Sequence, residues 1–379
     1  MDFIGRLGGK ELVGIHRKEG LDTRPDEYLA RYQQLLERGI SQTPKLYLDT
    51  NFWIGLRDAE RESDDRAKRL LDLLRELIAN KKVICVIQAA SFLEIAKQSE
   101  RSLLVISKLI EEFTESISIA SQDELERLEA INYVRSKLDA EALPQYQIWT
   151  KTGLILYTNA VGHMSNLLPK SLDSYRANVL LKSMIDALWN AEISDILEAF
   201  GWNTAEKLAA SIDQSTIEAI ENRKKKRAEE IHSLQSIKQT EFESIMPIKY
   251  RKAFGRTVYQ IAVETGQQIV FKELLDTAER LVGDAVRESV SGEIGRALPN
   301  TVIQTNLYCL YENDQNKKFS SNDWFDMCHA SVALPYCDIF FTEKHLHHQI
   351  CNVLKFDDLF SCEVIAGFEA AEAKLENML

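Results

Sequence analysis

Two spacings alternate along this chain. Short runs that are too apolar for a surface, Lys45-Leu46-Tyr47-Leu48, Val83-Ile84-Cys85-Val86-Ile87 and Ile339-Phe340-Phe341-Thr342, predict buried strands. Elsewhere apolar residues recur at three and four. Leu125, Leu128, Ile131, Val134 and Leu138 predict a helix from Asp123 to Leu138, and Leu29, Tyr32, Leu35 and Leu36 predict an amphipathic helix from Pro25 to Gly39 that packs on the core or on a partner. Ser91 to Lys97 reads as a helix, and another starts after Ser320-Ser321-Asn322, which are good capping residues. Further helical runs are expected around 174–200, 204–232 and 250–290. Strands interleaved with helices at both ends predict an α/β fold, a parallel sheet flanked by helices. The helix-rich stretch between them predicts an inserted all-α subdomain. The expected organisation is a helical extension over 1–43, the first part of the α/β domain over 44–120, the insertion over 121–298 and the second part over 299–379, with Pro299-Asn300 as the return point.

Four acid-bearing segments stand at the predicted element ends. Asp49 closes the first strand in Leu48-Asp49-Thr50-Asn51, and Glu94 rides the helix after the second strand. Asp323 and Asp326 lie three apart in Asn322-Asp323-Trp324-Phe325-Asp326, and Glu343 follows the strand that ends at Thr342. Acids at strand ends line the crevice at the carboxyl edge of an open α/β sheet, where such folds bind ligands. Carboxylates are the donors that hold hard Mg²⁺ or Mn²⁺, and phosphodiester cleavage at neutral pH needs such a cation to neutralise the phosphate and activate water. Each acid alone has a plainer reading: Asp49 as a helix cap, Glu94 as a solvated helix residue, Asp323 as a first-turn acid favoured by the helix dipole. Asp338 begins its strand, four residues from the crevice, and is left out of the site.

On these segments the chain resembles the PIN-domain family of metal-dependent ribonucleases. The matching residues are Leu48-Asp49-Thr50-Asn51, Glu94, the run Asp326-Met327-Cys328-His329-Ala330-Ser331-Val332-Ala333, and Thr342-Glu343. The resemblance covers roughly 44–120 and 300–370 and rests on the order of the motifs rather than on any one of them. It implies an endoribonuclease in which Asp49, Glu94 and Asp326 hold one or two Mg²⁺ or Mn²⁺ ions, Glu343 or Asp323 completes the coordination through water, and Thr50, Asn51 and Thr342 position the ligands. The implied products carry 5′-phosphate and 3′-hydroxyl ends. The family places its fourth acid two residues beyond the strand-terminal Thr or Ser. Here Glu343 follows Thr342 directly and Lys344 stands next.

Composition changes the picture at four points. With 379 residues and 45% apolar content, the chain is long enough for two domains. It shows no apolar run of membrane-spanning length and no signal-like start, so a cytoplasmic protein without membrane contact is expected. Six cysteines without a CxxC pair read as buried small hydrophobes rather than zinc ligands or disulfides. The net charge of −12 argues against tight nonspecific binding of nucleic acid and calls for a local basic surface or a partner.

The one strong basic run, Arg223-Lys224-Lys225-Lys226-Arg227, is a candidate guide for a phosphate backbone, or else a solvated helix face. Tyr146, Trp149, Tyr157, Trp189 and Trp202 are candidates for base stacking, with core filling as the plainer reading. His345, His347 and His348 read as a surface helix beside Glu343. The expected partners are nucleic acid, RNA ahead of DNA, together with a regulatory protein and a second copy of the chain. Two competing readings remain open: a catalytically inactive PIN-like scaffold that binds a protein or RNA, and a DNA-directed nuclease acting as a toxin or antiviral defence effector.

Overall fold

The apolar run from Lys45 to Leu48 forms a strand, β1, whose residues alternate between two cores. Leu46 and Leu48 face one, and Tyr47 faces the other. The second run is shorter than its apolar stretch, β2 spanning Ile84–Val86. Two short strands follow, β3 (Ile117–Ile119) and β4 (Trp149–Lys151), then β5 (Ile339–Thr342) and β6 (Glu363–Ala366). The structure is a computed structural model that describes residues 9–19, 23–62, 65–155, 160–200, 214–227, 233–314 and 316–379.

The principal sheet is wholly parallel, in the order β2-β1-β5-β6, with Tyr47 opposite Val86 on one side and Phe340 on the other. Parallel strands need crossovers, and buried helices cover both faces. One face packs against helices Thr50–Glu60, Lys68–Ala79 and Glu100–Thr114 through Phe52, Trp53, Leu70, Leu74, Ile106 and Phe113. The other packs against helices Pro299–Asn313 and Ser321–Tyr336 through Ile303, Leu307, Ala330 and Ala333. The two alanines let the latter helix lie close to Tyr47 and Phe340. β1 leads outward to β2 and β5 leads outward to β6 on the opposite side, so the strand order reverses between β1 and β5. In open α/β sheets that point, outside the carboxyl ends of the strands, is where ligands bind.

The intervening segment differs from the all-helical expectation. β4 lies within it and pairs antiparallel with β3, which is bridged to β2 through Ile87 and Ser118. Trp149 is therefore a core residue of the sheet flank. Such three-residue strands carry too little alternation to be recognised in a sequence. The run expected over 250–290 is two helices, Leu234–Glu264 and Phe271–Ser291, joined by a turn in which Gly266 takes φ +70, a conformation that favours glycine. They share a core with Tyr133 and Val134 of helix Gln122–Lys137 and with Val302. The run around 174–200 is likewise two helices, Ser174–Trp189 and Ile193–Phe200. Of the run expected over 204–232, residues 214–227 are helical; Trp202, Tyr157 and the rest of that run lie outside the described residues.

Helix Pro25–Ile40, which follows helix Gly9–Glu19, packs Tyr28, Leu29, Tyr32 and Leu36 on a cluster built around Leu181, Met184 and Trp189, while Leu35 is exposed. All six cysteines are free, and only Cys351 is not buried. Among the described residues no helix is long and apolar enough to cross a membrane.

Candidate active site

β1 ends at Leu48 because Asp49 turns the chain into the helix Thr50–Glu60. The Asp49 carboxylate is the cap of that helix, accepting from the Asn51 N–H at 2.7 Å through Oδ1. Its Oδ2 accepts from the Thr342 hydroxyl at 3.0 Å, which ties the end of β1 to the end of β5. The capping reading and the crevice reading are thus both geometrically true of one side chain. Asp49 is 3% exposed. Burial, with the nearby Glu343 charge, outweighs the neighbouring imidazole of His329 and those hydrogen bonds, and its carboxyl is pushed up to about 6.

Glu94 comes from helix Ala89–Ile95, which starts at the Gln88 cap. Its Oε2 accepts from the Thr50 hydroxyl at 2.5 Å and lies 3.0 Å from His329 Nε2. Burial acts against its charge, but the His329 bond and charge, the Thr50 bond and the Lys97 ammonium prevail, and the carboxyl sits below its ordinary value.

Asp326 lies one turn before His329 on helix Ser321–Tyr336. Its carboxyl is pushed up to about 7, first by burial and then, against the pull of His329, by the charges of Asp49, Glu343 and Glu94. The charges of Asp49, Glu94 and Glu343 thus all reach Asp326. Glu343 is the exposed member, at the exit of β5 and the start of the short helix Lys344–His347.

Asp323 is directed elsewhere. It is 5% exposed and forms a capping box, its Oδ2 accepting from the Ser320 N–H at 2.8 Å and the Ser320 hydroxyl at 2.6 Å, while Oδ1 pairs with Lys317 Nζ at 2.7 Å. The first-turn reading describes this residue. Asp338 sits at the opposite sheet edge, accepting from the Lys45 N–H at 2.7 Å.

The residue that sequence reasoning passed over is His329. It is 1% exposed, and its two nitrogens bridge Glu94 and the Tyr47 hydroxyl, the latter 2.9 Å from Nδ1. Tyr47 in turn is 2.7 Å from the Ser91 hydroxyl. Burial opposes the imidazolium, but Glu94, Asp49 and Asp326 favour it more strongly, so its pKa is raised. The available signal was spacing: His329 is three residues from Asp326, hence on the same helix face.

The basic run divides. Arg223 pairs with the buried Glu241 and lies over the Tyr308 ring. Lys224 is buried and donates to the carbonyls of Tyr311, Asp314 and Lys317. Lys225 and Lys226 are exposed, and the Arg227 side chain lies outside the described residues. Trp149 and Trp189 are buried, the latter stacked on Tyr32. His345 is exposed, its Nε2 3.0 Å from Lys317 Nζ.

The donor chemistry of the acids suits a hard divalent cation: carboxylate oxygens, two of them on carboxyls held above their ordinary values by burial and like charge. The spacing is looser. Among the described residues no three His, Cys, Asp or Glu side chains stand as a preformed metal cage. No family model matches the chain, and no curated protein or solved structure matches it either.

Proposed function

We propose that the chain is a PIN-like, metal-dependent endoribonuclease that cleaves phosphodiester bonds of single-stranded or structured RNA. The observation that carries this reading is the crowding of Asp49, Glu94, Asp326 and Glu343 at the strand-order reversal between β1 and β5. Structural ion pairs satisfy acids. Here burial and like charge leave Asp49 and Asp326 under-compensated, the signature of a site that awaits a cation.

Asp49, Asp326, Glu94 and the exposed Glu343 are the residues that would hold Mg²⁺ or Mn²⁺, which when bound would neutralise the scissile phosphate and lower the pKa of water. The surrounding side chains fix the acids in advance. Thr342 and the Asn51 N–H hold Asp49, and Thr50 and His329 hold Glu94 by Oε2. The exposed Lys97, its ammonium over the Phe325 ring, places a positive charge beside Glu94 where a phosphate would approach.

A second reading, an inactive PIN-like scaffold, draws support from the absence of a preformed cage among the described residues. Matched single-stranded RNA and DNA, incubated with the purified chain in Mn²⁺, Mg²⁺ or EDTA, separate the readings. RNA cleavage leaving 5′-phosphates in metal alone supports the endoribonuclease. Cleavage of DNA but not RNA supports a DNA-directed nuclease, and no cleavage under any condition supports the scaffold.

A further inference from the structure

The opposite edge of the sheet carries a cavity of about 800 Å³. Lys45, which opens β1, and Asp338, which precedes β5, both line it. The length of β1 separates it from the acidic crevice, roughly 13 Å at about 3.3 Å per residue. The two are distinct sites.

Glu129, from helix Gln122–Lys137, lines this cavity and is 6% exposed. Its Oε1 accepts from the Tyr336 hydroxyl at 2.5 Å, from Asn300 Nδ2 at 2.7 Å and from the Asn300 N–H at 3.3 Å, whereas Oε2 accepts from that same N–H at 3.2 Å. These partners are neutral, and three of the four bonds crowd one oxygen. Burial and the nearby Glu126 push the carboxyl up to about 8. A buried acid without a cation is costly, and Oε2, with its one bond, has room to accept another donor.

The walls supply the rest of the chemistry. Trp149 and Tyr133 line the cavity with aromatic rings that already attract ammonium groups: Lys45 Nζ lies 5.9 Å from the Trp149 ring centre and Lys137 Nζ 5.3 Å from that of Tyr133. The two basic residues of the lining are turned to carbonyls, Arg296 to Leu359 and Lys45 to Ser41. The volume is that of a site for a small organic molecule rather than for a bare ion.

We propose that this cavity binds an organic cation with an aromatic or aliphatic body, its ammonium or guanidinium group donating to Glu129 and its body packed on Trp149 and Tyr133. An anionic ligand of the same shape would meet Glu129 and Asp338 and is rejected. The site is independent of the nuclease reading.

Thermal denaturation of the full chain with tryptamine as probe, and with indole-3-acetate as the same ring bearing the opposite charge, tests it. Tryptamine is expected to raise Tm in a dose-dependent way and indole-3-acetate to leave it unchanged. Glu129→Gln is expected to abolish the tryptamine shift. Ala142→Trp, at an exposed position of the lining, plugs the mouth and is expected to abolish the shift with Glu129 intact, which keeps the test decisive if Glu129→Gln does not fold. No shift at saturating tryptamine, an equal shift with indole-3-acetate, or a tryptamine shift that survives in either folded variant overturns the proposal.

Discussion

His329 Nε2 stands 3.0 Å from Glu94 Oε2, and that contact joins the helix carrying Asp326 to the helix carrying Glu94. With both ring nitrogens protonated, the imidazolium donates to Glu94 and to the Tyr47 oxygen, and Tyr47 donates onward to Ser91. Glu94, Asp49 and Asp326 all favour that charged form. It is the natural counter-charge of the metal-free crevice.

Removing His329 leaves Glu94 partly buried with its cation gone. His329→Ala is expected to cost about 3 kcal/mol, the lower end for breaking a buried pair by deleting one partner. Urea unfolding at pH 7 measures it. A loss below about 1 kcal/mol, the scale of an exposed pair, would show the contact to be incidental.

The metal-free chain is expected to lose stability as pH rises from 5 to 8.5. Asp49 at about 6, Asp326 at about 7 and Glu129 at about 8 all lie above their ordinary values of 3.8, 3.8 and 4.5, and His329 is raised above 6.5. A raised group contributes stability that is fully present below its unfolded pKa and lost as pH climbs through the folded one. Glu94 has the opposite sign, but its window lies below its ordinary 4.5. Tm in EDTA should therefore fall across this range, and Mn²⁺ should flatten the fall. A Tm in EDTA that rises with pH contradicts the charge assignment.

Asp49→Asn and Asp326→Asn are expected to keep or raise Tm at pH 7.5, since each removes a buried charge that the metal-free fold compensates poorly. Asn serves as a helix cap about as well as Asp, so the start of Thr50–Glu60 survives the first change. The same variants should lose metal-dependent cleavage. Scanning calorimetry beside the cleavage assay checks both halves, and a drop in Tm of many degrees would indicate a purely structural role.

Within the basic run, Lys224 and its neighbours should separate. Lys224→Ala removes a buried ammonium from three backbone carbonyls and is expected to cost about 2 kcal/mol, in the range for hydrogen bonds to charged groups. Lys225→Ala with Lys226→Ala should leave unfolding unchanged and, if these exposed residues meet RNA, make RNA binding less sensitive to salt. Equilibrium unfolding and filter binding across a salt series distinguish the two. Equal destabilisation by all three changes would contradict the separation.

The strands β1 and β5 were legible because burial on both faces demands unbroken apolar runs, and the acids at their ends were legible because the chain must turn there. Asp323 was ambiguous because capping and coordination ask for the same side chain, and only the position of Ser320 and Lys317 decides between them. Lys224 could not be told from Lys225 and Lys226, since burial of one lysine in a run depends on a distant helix end. His329 shares a helix face with Asp326, but its contacts with Tyr47 and Glu94 span 282 and 235 residues of chain, and no local spacing encodes them. β3 and β4 were too short to announce themselves.

The most direct test of the central claim is cleavage of labelled single-stranded RNA by the wild-type chain and by Asp326→Asn, side by side in Mn²⁺ and in EDTA. The acidic-crevice account expects cleavage by the wild type in Mn²⁺, none in EDTA and none by the variant. Cleavage that persists in EDTA, or that Asp326→Asn retains in full, contradicts it.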